Sequence, residues 1–437
     1  MHTFDLNIGE ISKIEGKASL SVKVKDDKVE ECQFAITEFK RFYTQALRDK
    51  DVMGLPQLSC RICGTCSNAH LLCAIQAAEN ALGIEPSVQT KTLRKLVNYG
   101  LIIRDHALHC YVFALPDILG IDNILELDEN KPEEHRILDD TFEVKAAGNA
   151  LGIAVGGRSV HAPFPMVGGF TKLPDPDTFP ELIAKLEKAR PAVLRLIKRF
   201  VDCTFSLKRM TAYMALIDPE YSFLDGAILA SGGVSFPKSE YGKHLVHSAI
   251  AYSHASGYTT DGKVFMTGAL ARMNLAKDTL HPDTKRDASD ALASFPSGNI
   301  YHNNLAQAIE ILHAIDRSVE ILKTLAITAE KPVPVVRRAG TGIGVIEAPR
   351  GILYYKLILD EKGSIKNIDI VVPTGQNQIG IEQGLKDYIQ ANLSLGQERL
   401  VSDSERIVRA YDPCMSCASH FLKVKWKQTR SAHRRHG

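Results

Sequence analysis

Residues 61–83 read Arg61-Ile62-Cys63-Gly64-Thr65-Cys66-Ser67-Asn68-Ala69-His70-Leu71-Leu72-Cys73-Ala74-Ile75-Gln76-Ala77-Ala78-Glu79-Asn80-Ala81-Leu82-Gly83. Two thiols flank Gly64, which permits a turn tight enough for both to face one metal ion. From Cys66 onward the pattern is helical, with Ala69, Leu72, Cys73 and Ala77 on one stripe and Gly83 as a stop. A helix that begins at the second thiol aims its N-terminus at the pair and favours the thiolate form that metals need. By itself a C-x-x-C pair fits zinc, an iron–sulfur cluster or a redox dithiol equally.

On the N-terminal side, Ala18, Leu20, Val22 and Val24 alternate with polar residues, as in a half-buried strand. Asp26-Asp27 turns the chain, and Cys32, Phe34 and Ile36 continue the alternation. Ile14-Glu15-Gly16 precedes this hairpin. Toward the C-terminus, a second helix is predicted from Thr92 to about Leu115, with Asp105 and His109 on a shared face. Further helices are predicted over Phe179–Phe205, kinked or interrupted at Pro191, and over Leu305–Thr328. Gly152 to Gly169 reads as an ordered glycine-rich loop. Leu353–Leu359, a turn at Asp360-Glu361-Lys362-Gly363 and Ile365–Val372 read as a second hairpin. The expected class is α+β, a mainly helical core with small N-terminal and C-terminal β-hairpins or sheets, forming a single domain over residues 1–437.

Among 437 residues, 45% are hydrophobic and 24% charged, and no uncharged apolar run is long enough to span a bilayer. No basic-then-apolar leader follows Met1, so export would depend on a partner. Charge is balanced, 53 basic against 51 acidic residues, but Lys423, Lys425, Lys427, Arg430, Arg434 and Arg435 crowd residues 421–437, which hold no acid. Removing those six leaves 47 basic residues against 51 acidic, a net of −4, so the body of the chain gives no reason to expect nucleic acid. Nine cysteines without a leader make a poor disulfide framework. Cys32, Cys60, Cys73, Cys110 and Cys203 stand singly among apolar neighbours and read as small buried hydrophobes.

The other four form two C-x-x-C pairs. The second is Asp412-Pro413-Cys414-Met415-Ser416-Cys417-Ala418-Ser419-His420. Four soft thiolates suit zinc, an iron–sulfur cluster or nickel. Structural zinc sites close over far shorter spans than the 347 residues between Cys66 and Cys414. On spacing, zinc still ranks first, iron–sulfur second and a rarer metal third.

Together, R-x-C-G-x-C-x-x-x-H early and D-P-C-x-x-C-x-x-H late resemble the paired signature of nickel–iron hydrogenase large subunits. The likeness continues between them. Asp105-His106-Ala107-Leu108-His109 is similar to that family's D-H-x-x-H helix, and Gly156-Gly157-Arg158-Ser159-Val160-His161 to its G-G-R-x-x-H loop. Glu347-Ala348-Pro349-Arg350-Gly351 matches E-A-P-R-G, and Val372-Pro373-Thr374 with Asn377 resembles its V-P-T segment.

The resemblance implies reversible heterolytic cleavage of dihydrogen at a nickel–iron centre whose iron carries carbon monoxide and cyanide. Cys63 and Cys414 would be terminal nickel ligands; Cys66 and Cys417 would bridge nickel and iron. Arg350 would balance the anionic centre, Thr374 would donate to a cyanide, and Asp105, Pro349 and Asp412 would brace these groups. The proton would pass from Cys414 to a carboxylate, for which Glu15 is the candidate, with Glu38 or Glu347 next. The five remaining cysteines form no cluster motif, so electrons would leave through an iron–sulfur small subunit, then through further electron-transfer subunits. Nickel-insertion chaperones and a maturation protease are also implied, the protease cutting between His420 and Phe421 and removing 421–437 as a propeptide.

Departures from the family pattern are visible. Lys13-Ile14-Glu15-Gly16-Lys17 stands for R-I-E-G-H, and Tyr355 replaces a frequent histidine. Tyr43 occupies the place of a magnesium-binding glutamate, which removes one expected ligand of a magnesium ion that would also use His420. The compact length, the Val372–Asn377 segment and the lack of export features lean toward the cytoplasmic, cofactor-coupled branch. A dihydrogen-sensing homologue would share the site, although such sensors generally lack the cleavable tail. A metal-free relative, the quinone-site subunit of respiratory complex I, would lack the four cysteines. His106 and His109 are expected to be buried hydrogen-bonding residues, and His70 and His161 to brace loops or line the route to a partner's cluster.

Overall fold

The computed structural model describes residues 2–419. It opens with an antiparallel sheet of β1 (Phe4–Ile8), β2 (Ala18–Lys25) and β3 (Lys28–Ile36), in that order. The predicted hairpin is β2–β3, with Ala18, Leu20, Val22 and Val24 buried. Asp26 and Asp27 take φ of 51° and 63°, the left-handed pair that a tight hairpin turn demands.

Helix α1 (Ser67–Leu82) ends as predicted at Gly83, whose φ is 67°. Helix α2 (Val88–Ala107) starts four residues before the expected Thr92, because the Ser87 hydroxyl accepts from the Thr90 amide at 3.0 Å and caps it. It runs on into a wide π-type turn over Leu108–Ala114, then one more α-turn over Leu115–Leu119. Pro116 has no amide to give to the carbonyl four residues back, which accounts for the altered register.

The glycine-rich stretch requires a correction. Gly152 to Gly156 are helical, the last turn of α3 (Pro132–Gly156), which stops at Gly157 with φ 86°. The glycines there serve a helix crossing: a Cβ on Gly148 would lie 2.7 Å from the Arg104 amide nitrogen, and one on Gly100 would lie 2.9 Å from that of Gly152. Helix α4 (Phe179–Val201) is continuous through Pro191 and ends before the expected Phe205.

A four-stranded sheet not anticipated from the sequence follows, built from β4 (Ala212–Ile217), β5 (Ala227–Ala230), β6 (Val234–Pro237) and β7 (Phe265–Met266) in the order β7–β4–β5–β6. Helix α5 (Ala269–Ala276) and the buried helix α6 (His302–Thr324) come next.

The C-terminal hairpin is two strands of a three-stranded antiparallel sheet: β8 (Gly340–Ala348), β9 (Gly351–Leu359) and β10 (Ile365–Val371). Strand β8 lies across α1 with Gly340, Gly342 and Gly344 facing it. A Cβ on each would stand 2.1, 2.0 and 2.3 Å from the carbonyl oxygens of Ala81, Ala77 and Cys73. Two residues of strand advance about 6.6 Å and four of helix about 6 Å, so the two backbones stay in step along the contact. That contact fixes the turn between β8 and β9, which carries Pro349 and Arg350, against the helix that begins at Cys66. Helices α7 (Pro373–Ala391) and α8 (Gln397–Ala410) then lead to the second cysteine pair. One continuous cluster of buried apolar side chains includes Leu20, Leu72, Ile102, Leu151, Leu186, Ile309 and Leu353, so the helices and both terminal sheets share it.

Candidate metal centre

Cys63 leaves a short 3-10 turn in extended conformation, and Cys66 is the residue from which α1 begins. Arg104 holds this loop in place, donating to the Ser159 carbonyl at 2.6 Å and to the Thr65 carbonyl. The second pair arrives through Asp412, whose φ of 49° turns the chain, and Pro413. Cys414 then pairs with Glu15 in an isolated parallel bridge, with the Met415 amide donating to the Glu15 carbonyl at 2.9 Å.

The sulfur atoms of Cys63, Cys66, Cys414 and Cys417 all lie within 4.8 Å of one another, and all four residues are buried and free of disulfides. Cys63 is 3.4 Å from Cys414, and Cys66 is 3.0 Å from Cys417, which is also 3.0 Å from Cys414. Hydrogen bonds from Cys414, Cys417 and Cys66 hold the Cys63 thiol well below its usual range. Burial pushes Cys414 and Cys417 well above theirs. One thiolate is thus stabilised by its neighbours, while full ionisation of the set requires a cation among them.

A small cavity of about 10 Å³ adjoins the sulfurs, lined by Cys66, Cys414, Cys417, Ala348, Leu353, Pro373, Thr374, His70 and Arg350. Arg350 is fixed by two carboxylates: Nη1 donates to Asp105 at 2.8 Å and Nε to Asp412 at 3.1 Å. Its Nη2, 3.0 Å from Asp412, is misaligned with it and among the described residues is a buried donor without a hydrogen-bond partner. Burial opposes the charge on Arg350, but Asp105 and Asp412 together hold its ionisation well above the ordinary range. The Thr374 hydroxyl accepts from the Cys414 amide at 2.8 Å, so its own proton is left for another acceptor. Asp412 also accepts from Gln307 at 2.7 Å, and buried Pro349 presents its carbonyl to Arg272 at 3.0 Å.

Glu15 is aimed at Cys414. Its Oε2 lies 3.1 Å from the Cys414 sulfur and accepts from the Ser416 amide at 3.0 Å. Burial, then the charge of Cys63, raise its pKa. Glu38 and Glu347 are not so placed. Glu347 is engaged by Arg272 at 2.6 Å and the Leu216 amide at 2.7 Å, and the Glu38 carboxylate lies beside Gly16.

His106 bonds Glu310 at 2.8 Å and His109 bonds Gln307 at 2.6 Å, both fully buried, as expected. The His161 amide donates to Ser67 and braces the start of α1. His70 does more than brace: its Nε2 is 3.4 Å from the Cys417 sulfur and its Nδ1 is 2.8 Å from the Tyr355 hydroxyl. Burial pushes the ring down to about 4. The first motif already marked His70, but its contact with Cys417 could not be read from spacing. Tyr43 donates to the Arg61 carbonyl at 2.7 Å, while His420 and the expected cleavage point before Phe421 lie outside the described residues.

Four thiols suited to a soft metal, with a cavity and the Arg350 cation beside them, fit a buried metal centre. The sequence matches the nickel-dependent hydrogenase family over residues 41–150 and 236–420, more than half of the chain. It is 31% identical over 433 residues to the alpha chain of sulfhydrogenase 1 from Pyrococcus furiosus, covering 96% of this chain and 98% of that one. It is 28% identical to one subunit of the F420-non-reducing hydrogenase from Methanothermobacter thermautotrophicus, covering 95% of each. Among solved structures, an NAD+-reducing [NiFe]-hydrogenase superposes with a TM-score of 0.82 at 24% identity, covering 96% of this chain and 100% of that one. The Ni-Fe-Se hydrogenase of D. vulgaris Hildenborough superposes with a TM-score of 0.76 at 21% identity, covering 96% and 100%. By motif, by fold and by the convergence of its four cysteines, the chain belongs to the nickel-dependent hydrogenase family, as one of its large catalytic subunits.

Proposed function

We propose that this chain splits and forms dihydrogen heterolytically at a nickel–iron centre that Cys63, Cys66, Cys414 and Cys417 would hold. When bound, that centre, its iron carrying carbon monoxide and cyanide, supplies the electrophilic and redox-active metals. The chain does the rest. Cys414 accepts the proton at its sulfur and hands it to Glu15, which is within hydrogen-bond reach and fixed by the Ser416 amide. Arg350 would offset the negative charge of the thiolates, and its Nη2, which makes no aligned hydrogen bond, and the Thr374 hydroxyl would be the donors available to cyanide. Ala348, Leu353 and Pro373 supply the apolar part of the cavity wall. Asp105 and Asp412 keep Arg350 aimed, and Pro349 shapes the turn that carries it.

The relatives are named as subunits, which supports assembly with an iron–sulfur small subunit, joined by further electron-transfer subunits. No helix among the described residues is long and apolar enough to cross a membrane. The lean of the sequence toward the cofactor-coupled branch supports a place in the cytoplasm. The described residues are read as one domain, with residues 421–437 as a propeptide that a protease cutting after His420 would remove once nickel-insertion chaperones have acted. Any magnesium site would use His420 without a glutamate at position 43.

The observation that carries this reading is the meeting of four thiols with Glu15 at 3.1 Å from one of them. Infrared spectroscopy of the purified enzyme, with nickel and iron analysis, tests it. Carbon monoxide and cyanide stretching bands with both metals present are expected. Metal-loaded protein without such bands would overturn the centre.

A further inference from the structure

Tyr355 lies on β9, fully buried, at a position where the family pattern often has histidine. Its hydroxyl is 2.8 Å from Nδ1 of His70, and the two rings meet edge-on, with centroids 6.0 Å apart and an interplanar angle of 67°. The other nitrogen of the same ring is 3.4 Å from the sulfur of Cys417. A continuous line of contacts therefore runs from β9, through the first turn of α1, to one of the metal-binding sulfurs.

The chemistry of the three groups orders their protons. A sulfur bound to metal as thiolate has no proton and can only accept. Nε2 of His70 must then carry the hydrogen, which leaves Nδ1 of a neutral ring as an acceptor. A phenol is the matching donor, and with Tyr355 and His70 both buried, no solvent competes for the contact. Donation to Nδ1 disfavours the other tautomer, fixes the plane of the ring and polarises it, so that Nε2–H becomes a stronger donor.

We propose that Tyr355 is a positioning residue that sets the tautomer of His70 and thereby strengthens the hydrogen bond on the Cys417 sulfur, lowering the electron density this ligand gives to the metals. The assignment rests on the nickel–iron reading for its spectroscopic consequence but not for its geometry.

Tyr355→Phe removes the hydroxyl and keeps the ring. In the purified, metal-loaded enzyme this variant should move the carbon monoxide stretch to lower wavenumber, because a less restrained thiolate donates more charge. His70→Gln should shift the band as well. The double variant should reproduce the His70→Gln position, because Tyr355 acts through His70 and the two effects cannot add. An unshifted band in Tyr355→Phe, or independent shifts that sum in the double variant, overturns the proposal.

A second measurement does not depend on the native centre. In zinc-reconstituted, ¹⁵N-histidine-labelled protein, the resonances of His70 are identified by their loss in His70→Gln. Nδ1 should resonate as an unprotonated, hydrogen-bonded nitrogen and move away from that position in Tyr355→Phe. A protonated Nδ1 in the parent would refute the assignment even if Tyr355→Phe fails to fold. A parent enzyme with no carbon monoxide or cyanide bands would instead refute the nickel–iron reading and leave the zinc measurement to decide on Tyr355.

Discussion

The carboxylate of Glu15 and the sulfur of Cys414 stand 3.1 Å apart although 399 positions separate them in the chain. That distance is short enough for direct proton transfer, and the Ser416 amide fixes the receiving oxygen. Glu15→Gln keeps shape and hydrogen bonding but cannot take a proton. Nickel and iron content should be unchanged, while dihydrogen turnover and proton–deuterium exchange fall by roughly 10²-fold or more. Exchange within a few-fold of the parent would move the role elsewhere. Glu38, whose carboxylate lies beside Gly16, would be examined next.

Replacing a metal-binding sulfur should remove the metal. Cys63→Ser and Cys414→Ser substitute a harder ligand that stays protonated, so nickel should be lost on purification. Cys73→Ser is the control. Its sulfur donates to the Leu353 carbonyl at 3.5 Å and is not one of the four that converge, so nickel should stay. Full nickel occupancy in both ligand variants, by elemental analysis, would refute the site.

Arg272 should prove costly to remove. Fully buried, it donates to both oxygens of Glu310 at 2.7 Å, to Glu347 at 2.6 Å and to the Pro349 carbonyl at 3.0 Å. Arg272→Met leaves two buried carboxylates without the guanidinium between them, a loss of about 3–5 kcal/mol. The unfolding temperature should drop accordingly, and Glu310→Gln added to it should restore part of the loss. An unchanged unfolding temperature in Arg272→Met would contradict the role given to this network.

Maturation should shorten the chain. Cleavage between His420 and Phe421 removes 17 residues and takes the formal net charge from +2 to −4. Intact-mass measurement of active enzyme should find a chain ending at His420, and isoelectric focusing should separate it from the precursor. Full activity with the tail attached would count against this processing.

Much of the site was legible because it is encoded in short local motifs. Each C-x-x-C pair, Glu15 beside Gly16 and Arg350 after Pro349 declare themselves within a few residues, and the structure brings them together. Glycine misled the fold reading twice. In α3, Gly152 looked like a loop residue because what it packs against, the backbone of α2 at Gly100, is distant in sequence. In β8, Gly340, Gly342 and Gly344 hide a strand whose alternation is of absent side chains rather than apolar ones. The His70–Tyr355 contact was out of reach for the same reason: it joins a helix to a strand 285 positions away.

The bridge between Glu15 and Cys414 also sets a timetable. Cys63 leaves the ribosome 351 residues before its neighbour Cys414, which at ordinary synthesis rates is on the order of 20–70 s. Throughout that interval the first thiol pair exists without the second. The strand-like pairing at Cys414 is therefore the last stitch of the fold, and whatever metal is to be enclosed must be in place before it is drawn tight.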